Sequence, residues 1–590
     1  METFRNPVGP VKAGGKLTLR FYAKDCAGVD VRTWNGEEHF APMKPIGDDT
    51  FELTLTAPEK PMVFWYDFVV HAPEGDARYG TSYDQLGGEG AVYAVGAVQS
   101  YQVTVYDPAY QTPKALHSAV IYQIFPDRFR KKGRLTEARR QAIEKAHPDA
   151  TFHAKWEEAP LLLPDPINGD NRAHDFFGGT LAGIAEKLDE LAELGVTVLY
   201  LNPVFRSASN HRYNTGDYME IDPILGTNAD FTKLCKAAAE RGITVLMDGV
   251  FSHTGSDSLY FNRDGNYDSV GAYQSPDSPY ADWYTFRQFP DDYECWWGVY
   301  TLPAVRKENP EYQAFLTDEQ TGVLPEWIRR GAGGWRLDVA DELPMELIGK
   351  MRRGIKALDP DAALIGEVWE DASNKIAYGS MRSYCLGDTL DSVMNYPLRR
   401  GVIDFFTGAM DAPDLCRLLL HQREVYPAPF YYSLMNLLGS HDRVRILNAL
   451  SGYDREGAVQ MPREESRLIR LTPEQLAQAK ARYVEAMRLL CAIPGAPTIY
   501  YGDEIGMTGM ADPWNRTPMD WKHADEELRG QIAALLRERR KSRVLQTGFF
   551  DCEALDADTL LIRRYAVKSK DAFGATLRAA DREVRISRNI

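Results

Sequence analysis

The sequence predicts an α/β molecule built on a parallel (β/α)8 TIM barrel, with a β-sandwich before it and a short β region after it. Three observations predict this. Residues 1–110 carry strand-like period-two patterns and no helical period; from about 117, eight short apolar runs alternate with helical segments; beyond 546 the pattern returns to β. At 590 residues the chain is too long for one ordinary core, so two or three domains are expected.

In the first region, residues 16–22, 50–56 and 101–106 alternate apolar and polar side chains, while 61–70 is a nearly continuous apolar strand. Gly, Pro and Asp clusters separate them, and Pro108 and Pro113 mark a linker. The barrel region, 117–545, reads as strands at 119–125, 195–201, 243–247, 333–338, 362–366, 392–395, 431–438 and 497–501. Helical spacing falls at 181–194, 231–240, 344–358, 473–490 and 526–542. Residues 130–147 read as a basic, solvated helix. After the third strand, about 250–308 is too long for a simple connection and is expected to form a loop subdomain. In the final region, 546–590, residues 559–565 make the clearest strand.

Composition narrows the function. A net charge of -16 without a basic stripe excludes nucleic acid as the expected partner. No run of about 18 apolar residues predicts a membrane span. The N-terminus shows no secretory pattern, and the seven cysteines lie singly with no C-x-x-C pair. Cytoplasmic location, free thiols and no zinc site are the expectation.

Three acidic residues close apolar runs: Asp338, Glu367 and Asp442. Barrel enzymes build their sites at the C-terminal ends of strands. Acetal hydrolysis needs one carboxylic acid to protonate the leaving oxygen and one carboxylate near the anomeric carbon. Asp338 reads as a nucleophile kept ionised by Arg336, or, about as well, as a structural ion pair with it. Glu367 reads as general acid and base with Val368 and Trp369 as an apolar wall, or as a helix cap. Asp442, after His441, reads as a transition-state contact or as a turn residue. Asp248 and His253 follow the third strand without further ligands at metal spacing, so hydrogen bonding is preferred; His211 and Tyr213 follow the second, where Tyr213 is a sugar-stacking candidate or a surface anchor.

These motifs resemble the α-amylase family of glycoside hydrolases. Asp248-Gly-Val-Phe-Ser-His253, Gly334-Trp-Arg-Leu-Asp-Val-Ala-Asp-Glu342, Gly366-Glu-Val-Trp369 and Ser440-His-Asp442 match its four signature regions in order. Residues 202–205, 211–218, 122–129, 394–397 and 500–506 match as well. The resemblance implies Asp338 as nucleophile, Glu367 as acid/base and Asp442 as transition-state stabiliser. It implies Arg336, His253, His441, Tyr213 and Asp248 around the cleaved glucose, with Arg516 on the next sugar. The Val-Ala-Asp-Glu stretch is similar to that of the neopullulanase, cyclomaltodextrinase and maltogenic amylase branch. That implies cleavage of α-1,4 bonds, with α-1,6 bonds as a further expectation, in maltooligosaccharides, cyclodextrins or pullulan, and a homodimer through the N-terminal domain. The branch often carries a calcium loop after its first strand. Here Arg130-Lys-Lys-Gly-Arg134 stands there, a poor oxygen cage, so no cofactor is expected to be required and calcium is poorly supported. Arg306 likewise departs from the branch's usual Asn. The rival expectations are an α-glucosidase or transglycosylase on short substrates, a non-catalytic amylase-like protein, and, for residues 1–110, a carbohydrate-binding module in which Trp34 and Trp65 meet sugar.

Overall fold

Eight strands form one parallel sheet in the computed structural model, which describes residues 4–94, 96–165, 169, 171–454 and 461–590. They are β1 (Ile121–Ile124), β2 (Val198–Leu201), β3 (Thr244–Gly249), β4 (Gly334–Leu337), β5 (Ala363–Gly366), β6 (Ser392–Val393), β7 (Met435–Leu437) and β8 (Ala496–Tyr500). The spatial order is β6-β5-β4-β3-β2-β1-β8-β7, and a parallel bridge from Met394 to Met435 closes the ring. Residues 1–3, the start of the stretch read for a leader, lie outside the described residues.

Period-two alternation sorts each strand's side chains between two cores. Ile121, Val198, Tyr200, Leu246, Ala363, Ile365 and Leu437 fill the barrel axis. Leu199, Val245, Met247, Trp335, Leu337 and Leu364 face outward, against Leu347, Met351 and Ile355 of the helix Met345–Leu358. Burying each such aliphatic side chain contributes about 1.5–3 kcal/mol before entropy is counted. The same parity has a functional consequence: Asp248 lies two residues beyond inward Leu246, Glu367 two beyond inward Ile365, and Arg336 pairs in register with Asp248. The apolar pattern that builds the barrel therefore aims these charges up its axis.

N-caps set the helix starts. Thr227 closes a capping box with Asp230, so the helix expected at 231–240 runs Asn228–Ala239; Thr472 does the same with Gln475 ahead of Pro473–Ala492. Some expectations are corrected. The apolar run 431–438 is only partly strand, because Tyr431 ends a helical turn, Ala428–Tyr431, with Pro429 in its first turn. Residues 181–194 split at Lys187 into Leu181–Glu186 and Leu188–Leu194. Of 130–147 only Glu137–Ala146 is helical, starting at its Thr136 cap.

Before the barrel, two sheets, antiparallel but for one parallel pairing of Val11–Lys12 with Tyr101–Tyr106, share one core: Leu17 and Leu19 from one, Val29, Val31, Phe64 and Val103 from the other. After it, Phe549–Ala554, Thr559–Tyr565 and Arg582–Ser587 form a three-stranded sheet. The expectation of seven unpaired cysteines is also corrected. Cys416, on the helix Ala412–Val425, is disulfide-bonded to Cys552 of the C-terminal sheet, with Cα atoms 5.8 Å apart. Partners this distant in sequence carry no spacing signal, which is why the pattern did not reveal them.

Candidate active site

One guanidinium organises the mouth of the barrel. Arg336 Nη1 donates to Asp248 Oδ1 at 2.7 Å and to Asp338 Oδ1 at 2.9 Å. Its Nη2 stands 2.9 Å from Glu367 Oε2, close enough for an ion pair although it is not aligned as a hydrogen bond. That carboxylate oxygen instead accepts the Val339 backbone N–H at 2.8 Å. Val339 reaches it with φ 39°, a left-handed conformation that a β-branched residue adopts only under constraint, costing on the order of 1–3 kcal/mol. The strain follows Asp338 directly and points a backbone donor at Glu367.

The remaining side chains form a collar. Tyr200 and Tyr213 both donate to Asp248 Oδ2, at 2.6 and 2.7 Å. Asn202 donates to the Tyr213 hydroxyl, and the Tyr213 ring lies parallel to His441, centroids 5.1 Å apart. His253 bonds the Tyr213 carbonyl through Nε2 and Ser252 through Nδ1. His211 Nδ1 bonds Ser209 and the backbone N–H of Tyr213. His441 Nε2 lies 3.1 Å from Asp442 Oδ1, while Arg516 Nη2 is 3.7 Å from the same oxygen and its Nε donates to the His441 carbonyl. Trp369 donates its indole N–H to Glu367 Oε1 at 3.1 Å and stacks on Tyr396 at 4.0 Å.

Charge is crowded here. Burial pushes the Asp338 carboxyl well above the usual carboxylate range; Glu367, Asp248 and Asp442 add repulsion and Arg336 only partly opposes it. Arg336, expected to keep Asp338 ionised, divides its charge among three carboxyls. Asp248 is raised by burial, and Asp442 is pushed up to about 7 by burial and then by Glu367. Such carboxyls titrate as a group that retains a proton near neutrality. The imidazoles go the other way. Burial lowers His253 to about 4 and, with Arg516 nearby, holds His211 and His441 well below their usual value. All three are neutral hydrogen-bonding groups.

Every site residue named from sequence joins this collar or touches it, with one change of role. Val368 is no wall to Glu367, since strand parity sends it into the outer core; Trp369 meets the carboxyl as a donor. Sequence reasoning missed Gln123, which bonds both Asn202 and His441, and Asn515, which donates to the His441 carbonyl. It also missed Tyr200, Tyr396 and Val339. A Gln inside the apolar run 119–125 and a Tyr at an inward position of 195–201 were the available signals.

The loop subdomain folds back over β3. Val305 N–H donates to the Ser252 carbonyl, His253 bridges Ala304, and the Trp296 ring lies 5.4 Å from His253. Arg306 turns aside to the Asp282 carbonyl. A groove of about 1240 Å³ lies between Trp296, Trp297, Lys307, Glu342, Tyr378 and Arg382. Glu342 Oε1 accepts from the Trp297 indole at 2.8 Å and from the Tyr378 hydroxyl at 3.3 Å. The basic stretch after β1, where calcium was weighed, is taken up by ion pairs among the described residues. Arg130 and Lys132 both pair with Glu186 there, and Thr180 is engaged with the backbone of Lys132. Among the described residues no group of three or more His, Cys, Asp or Glu is placed to hold a metal.

With this geometry in hand, comparison with known proteins is decisive. The family model "Alpha amylase, catalytic domain" matches residues 123–543. The chain belongs to the α-amylase family. An amylopullulanase of Thermoanaerobacterium saccharolyticum is 37% identical over 97% of the chain, yet the chain spans only 46% of that protein. A "Neopullulanase 2" of Thermoactinomyces vulgaris is 33% identical over 84% of the chain and 75% of its own length. Among solved structures, the cyclic α-maltosyl-(1→6)-maltose hydrolase of Arthrobacter globiformis superposes with a TM-score of 0.63 at 30% identity, covering 78% of this chain and 90% of that one. α-Amylase-family barrels thus share this chain's fold. No described helix is long and apolar enough to cross a membrane.

Proposed function

We propose that the chain hydrolyses α-1,4-glucosidic bonds, and α-1,6 bonds as well, in maltooligosaccharides, cyclodextrins or pullulan, with retention at the anomeric carbon. The observation that carries this reading is that Asp338 and Glu367 lie 2.9 Å from the two ends of one guanidinium. That brings the two carboxyls close enough to flank one glycosidic bond, where such pairs stand roughly 5–5.5 Å apart for retention and roughly 6.5–9.5 Å for inversion. Asp338 attacks the anomeric carbon while Glu367 gives its proton to the departing oxygen, forming a glycosyl ester. Glu367 then takes a proton from water, whose oxygen displaces Asp338 and frees the sugar. Asp442 and His441 hold sugar hydroxyls as positive charge develops on the ring, and Tyr213, beside Asp248, offers it a stacking face.

A second reading, transfer to a sugar acceptor, is favoured by the groove at Trp297 and Glu342, where a hydroxyl in water's place gives transglycosylation. An α-glucosidase on short substrates has no observation of its own. The reaction as proposed routes no step through a metal. A homodimer through residues 1–110 remains a proposal to be read by sedimentation velocity. A cytoplasmic location would keep Cys416 and Cys552 as thiols, which alkylation of protein taken from cells would report. The deciding experiment is parallel product analysis on β-cyclodextrin, pullulan, soluble starch and maltose, with NMR of the first-formed anomer. Initial release of the β-anomer would sink retention; inertness on all four would sink the substrate class.

A further inference from the structure

We infer that a basic cleft between the last long helix and the C-terminal segment is a second, non-catalytic site, and that its ligand is a small sugar carrying two phosphate groups. The cleft measures about 1090 Å³, at the upper end of the usual range for ligand sites, about 300–1,000 Å³. One bank is the helix Glu526–Lys541 with the short helical turn Arg543–Thr547 after it, supplying Arg537, Lys541 and Arg543. The other is the stretch 576–582, supplying Arg578 and Arg582. Glu538 is the sole acid among the lining residues. Because the two banks lie apart in sequence, neither reads alone as a basic stripe.

Packing explains this cluster poorly, since all five cations are exposed. The chain has 84 acidic residues against 68 Lys and Arg, so a surface cation ordinarily meets a carboxylate. Among the described residues these five form no ion pair. The nearby acids are engaged elsewhere. Glu553 and Glu583 pair with Arg563, Asp581 accepts the Ala566 N–H, and buried Asp571 accepts the N–H groups of Phe573 and Ala575. A helix C-terminus favours cations, which accounts for Lys541. It does not account for Arg543, Arg578 and Arg582, which lie outside that helix. Like charges gathered without partners repel one another, and an anion between them relieves the repulsion.

The lining also selects among anions. Five cations against one carboxylate leave an excess of four positive charges. A phosphate ester carries about −1.5 to −2 at neutral pH, so two of them match that excess. Four of the five cations are Arg, whose planar fork binds phosphate through paired N–H groups, and both banks supply it. No aromatic side chain lines the cleft, so a nucleobase would lack a stacking face. The uncharged lining is small, with Ala579 and Ala580 beside the hydroxyls of Ser542 and Thr576, which suits a compact hydroxylated body. The site stands away from the reaction. Arg539 of the same helix holds the Ile493 and Gly495 carbonyls just before β8 begins, whereas the catalytic acids follow the opposite, C-terminal strand ends. Arg582 opens the last strand of the C-terminal sheet. A ligand bridging the banks therefore ties that sheet to the barrel.

The test uses the full chain with fructose 1,6-bisphosphate as probe, by titration calorimetry and thermal melts at about 0.15 M salt. Fructose, inorganic pyrophosphate and ATP are run beside it. The expected result is saturable binding, at least about tenfold tighter than for any of those three, with a melting temperature that rises as the probe saturates. Joint Arg543→Gln and Arg578→Gln should weaken binding at least about tenfold and leave maltotriose turnover unchanged. Arg582→Gln, made separately, carries the same expectation should the double variant misfold. No saturable binding, or binding that these variants leave intact, would overturn the site. Tighter binding of ATP would overturn the sugar class. Equal binding of all three phosphate compounds, abolished by raising the salt, would reduce the cleft to a screened patch of charge. Since the site is separate from the catalytic mouth, none of these outcomes bears on the function proposed above.

Discussion

Arg336 and Arg539 are both buried guanidiniums, at opposite ends of the barrel, and they do opposite things. Arg539, on the helix Glu526–Lys541, donates to four backbone carbonyls: Cys491, Ile493, Leu545 and Gly495. Those carbonyls lead into β8 and into the C-terminal sheet, so one cation satisfies acceptors that would otherwise be buried without partners. Burial, and then neighbouring Arg564, lower it to about 10. Arg336 faces carboxylates instead, and there are more of them than its charge can neutralise. Beside it Val339 is strained. One end is satisfied and serves stability; the other is left over-supplied with acid and serves chemistry.

If that contrast holds, damage at the two ends will separate activity from stability. The largest effect is expected from Asp338→Asn, which should lower kcat on maltotriose by about 10⁴-fold or more, as for loss of a covalent nucleophile. The melting temperature should not fall, because the amide relieves repulsion with Asp248 and Glu367 while keeping the shape. A variant retaining even a tenth of the parent's rate would remove Asp338 from the chemistry. Next comes Asp442→Asn, expected to cost about 10²–10³-fold in kcat, the usual value of one preorganised electrostatic contact. A change confined to KM would make Asp442 a ground-state binder. Arg539→Met should leave kcat per folded molecule alone and lower unfolding free energy by about 2–5 kcal/mol, since it strands several buried carbonyls. Urea titration with an activity assay on the same samples reads both quantities. Lost activity in fully folded Arg539→Met would break the comparison.

Much of the satisfied architecture and part of the reactive site were legible in the residues. Strands 16–22, 50–56, 101–106 and 559–565 match the structure residue for residue. The run 431–438 was misread because an apolar stretch without alternation suits a buried strand or a helical turn equally. Asp338, Glu367 and Asp442 stood out by lying at strand ends inside recognisable motifs. Gln123 and Asn515 did not, since their importance lies in bonds to His441, across 318 and 74 residues. The sharing of Arg336 among three acids was equally invisible, because Arg336 and Asp248 become neighbours only through the β3–β4 register. The Cys416–Cys552 pairing, across 136 residues, belongs to the same class.

The smallest expected effect is a pH signature in which the two kinds of buried group pull in opposite directions. His117, stacked on Phe573 between the barrel and the C-terminal sheet, is lowered to about 4 by burial. An unfolded chain takes up the proton near 6.5, while the folded one resists until about 4. Stability must therefore fall as pH drops through that window, by up to about 1.4 kcal/mol per pH unit for this group. Asp442, raised to about 7, has the reverse sign: above its ordinary value of 3.8 the unfolded chain has released a proton that the folded chain still holds. Its burden grows as pH rises from 3.8 and is complete once pH passes 7. His117→Phe should flatten the loss of stability between pH 6.5 and 4 without touching activity. Asp442→Asn should raise the melting temperature at pH 8 but not at pH 4. If both substitutions changed the pH slope of stability in the same direction, burial would be treating the reactive acids and the structural imidazole alike, and the distinction between the two ends of the barrel would lose its physical basis.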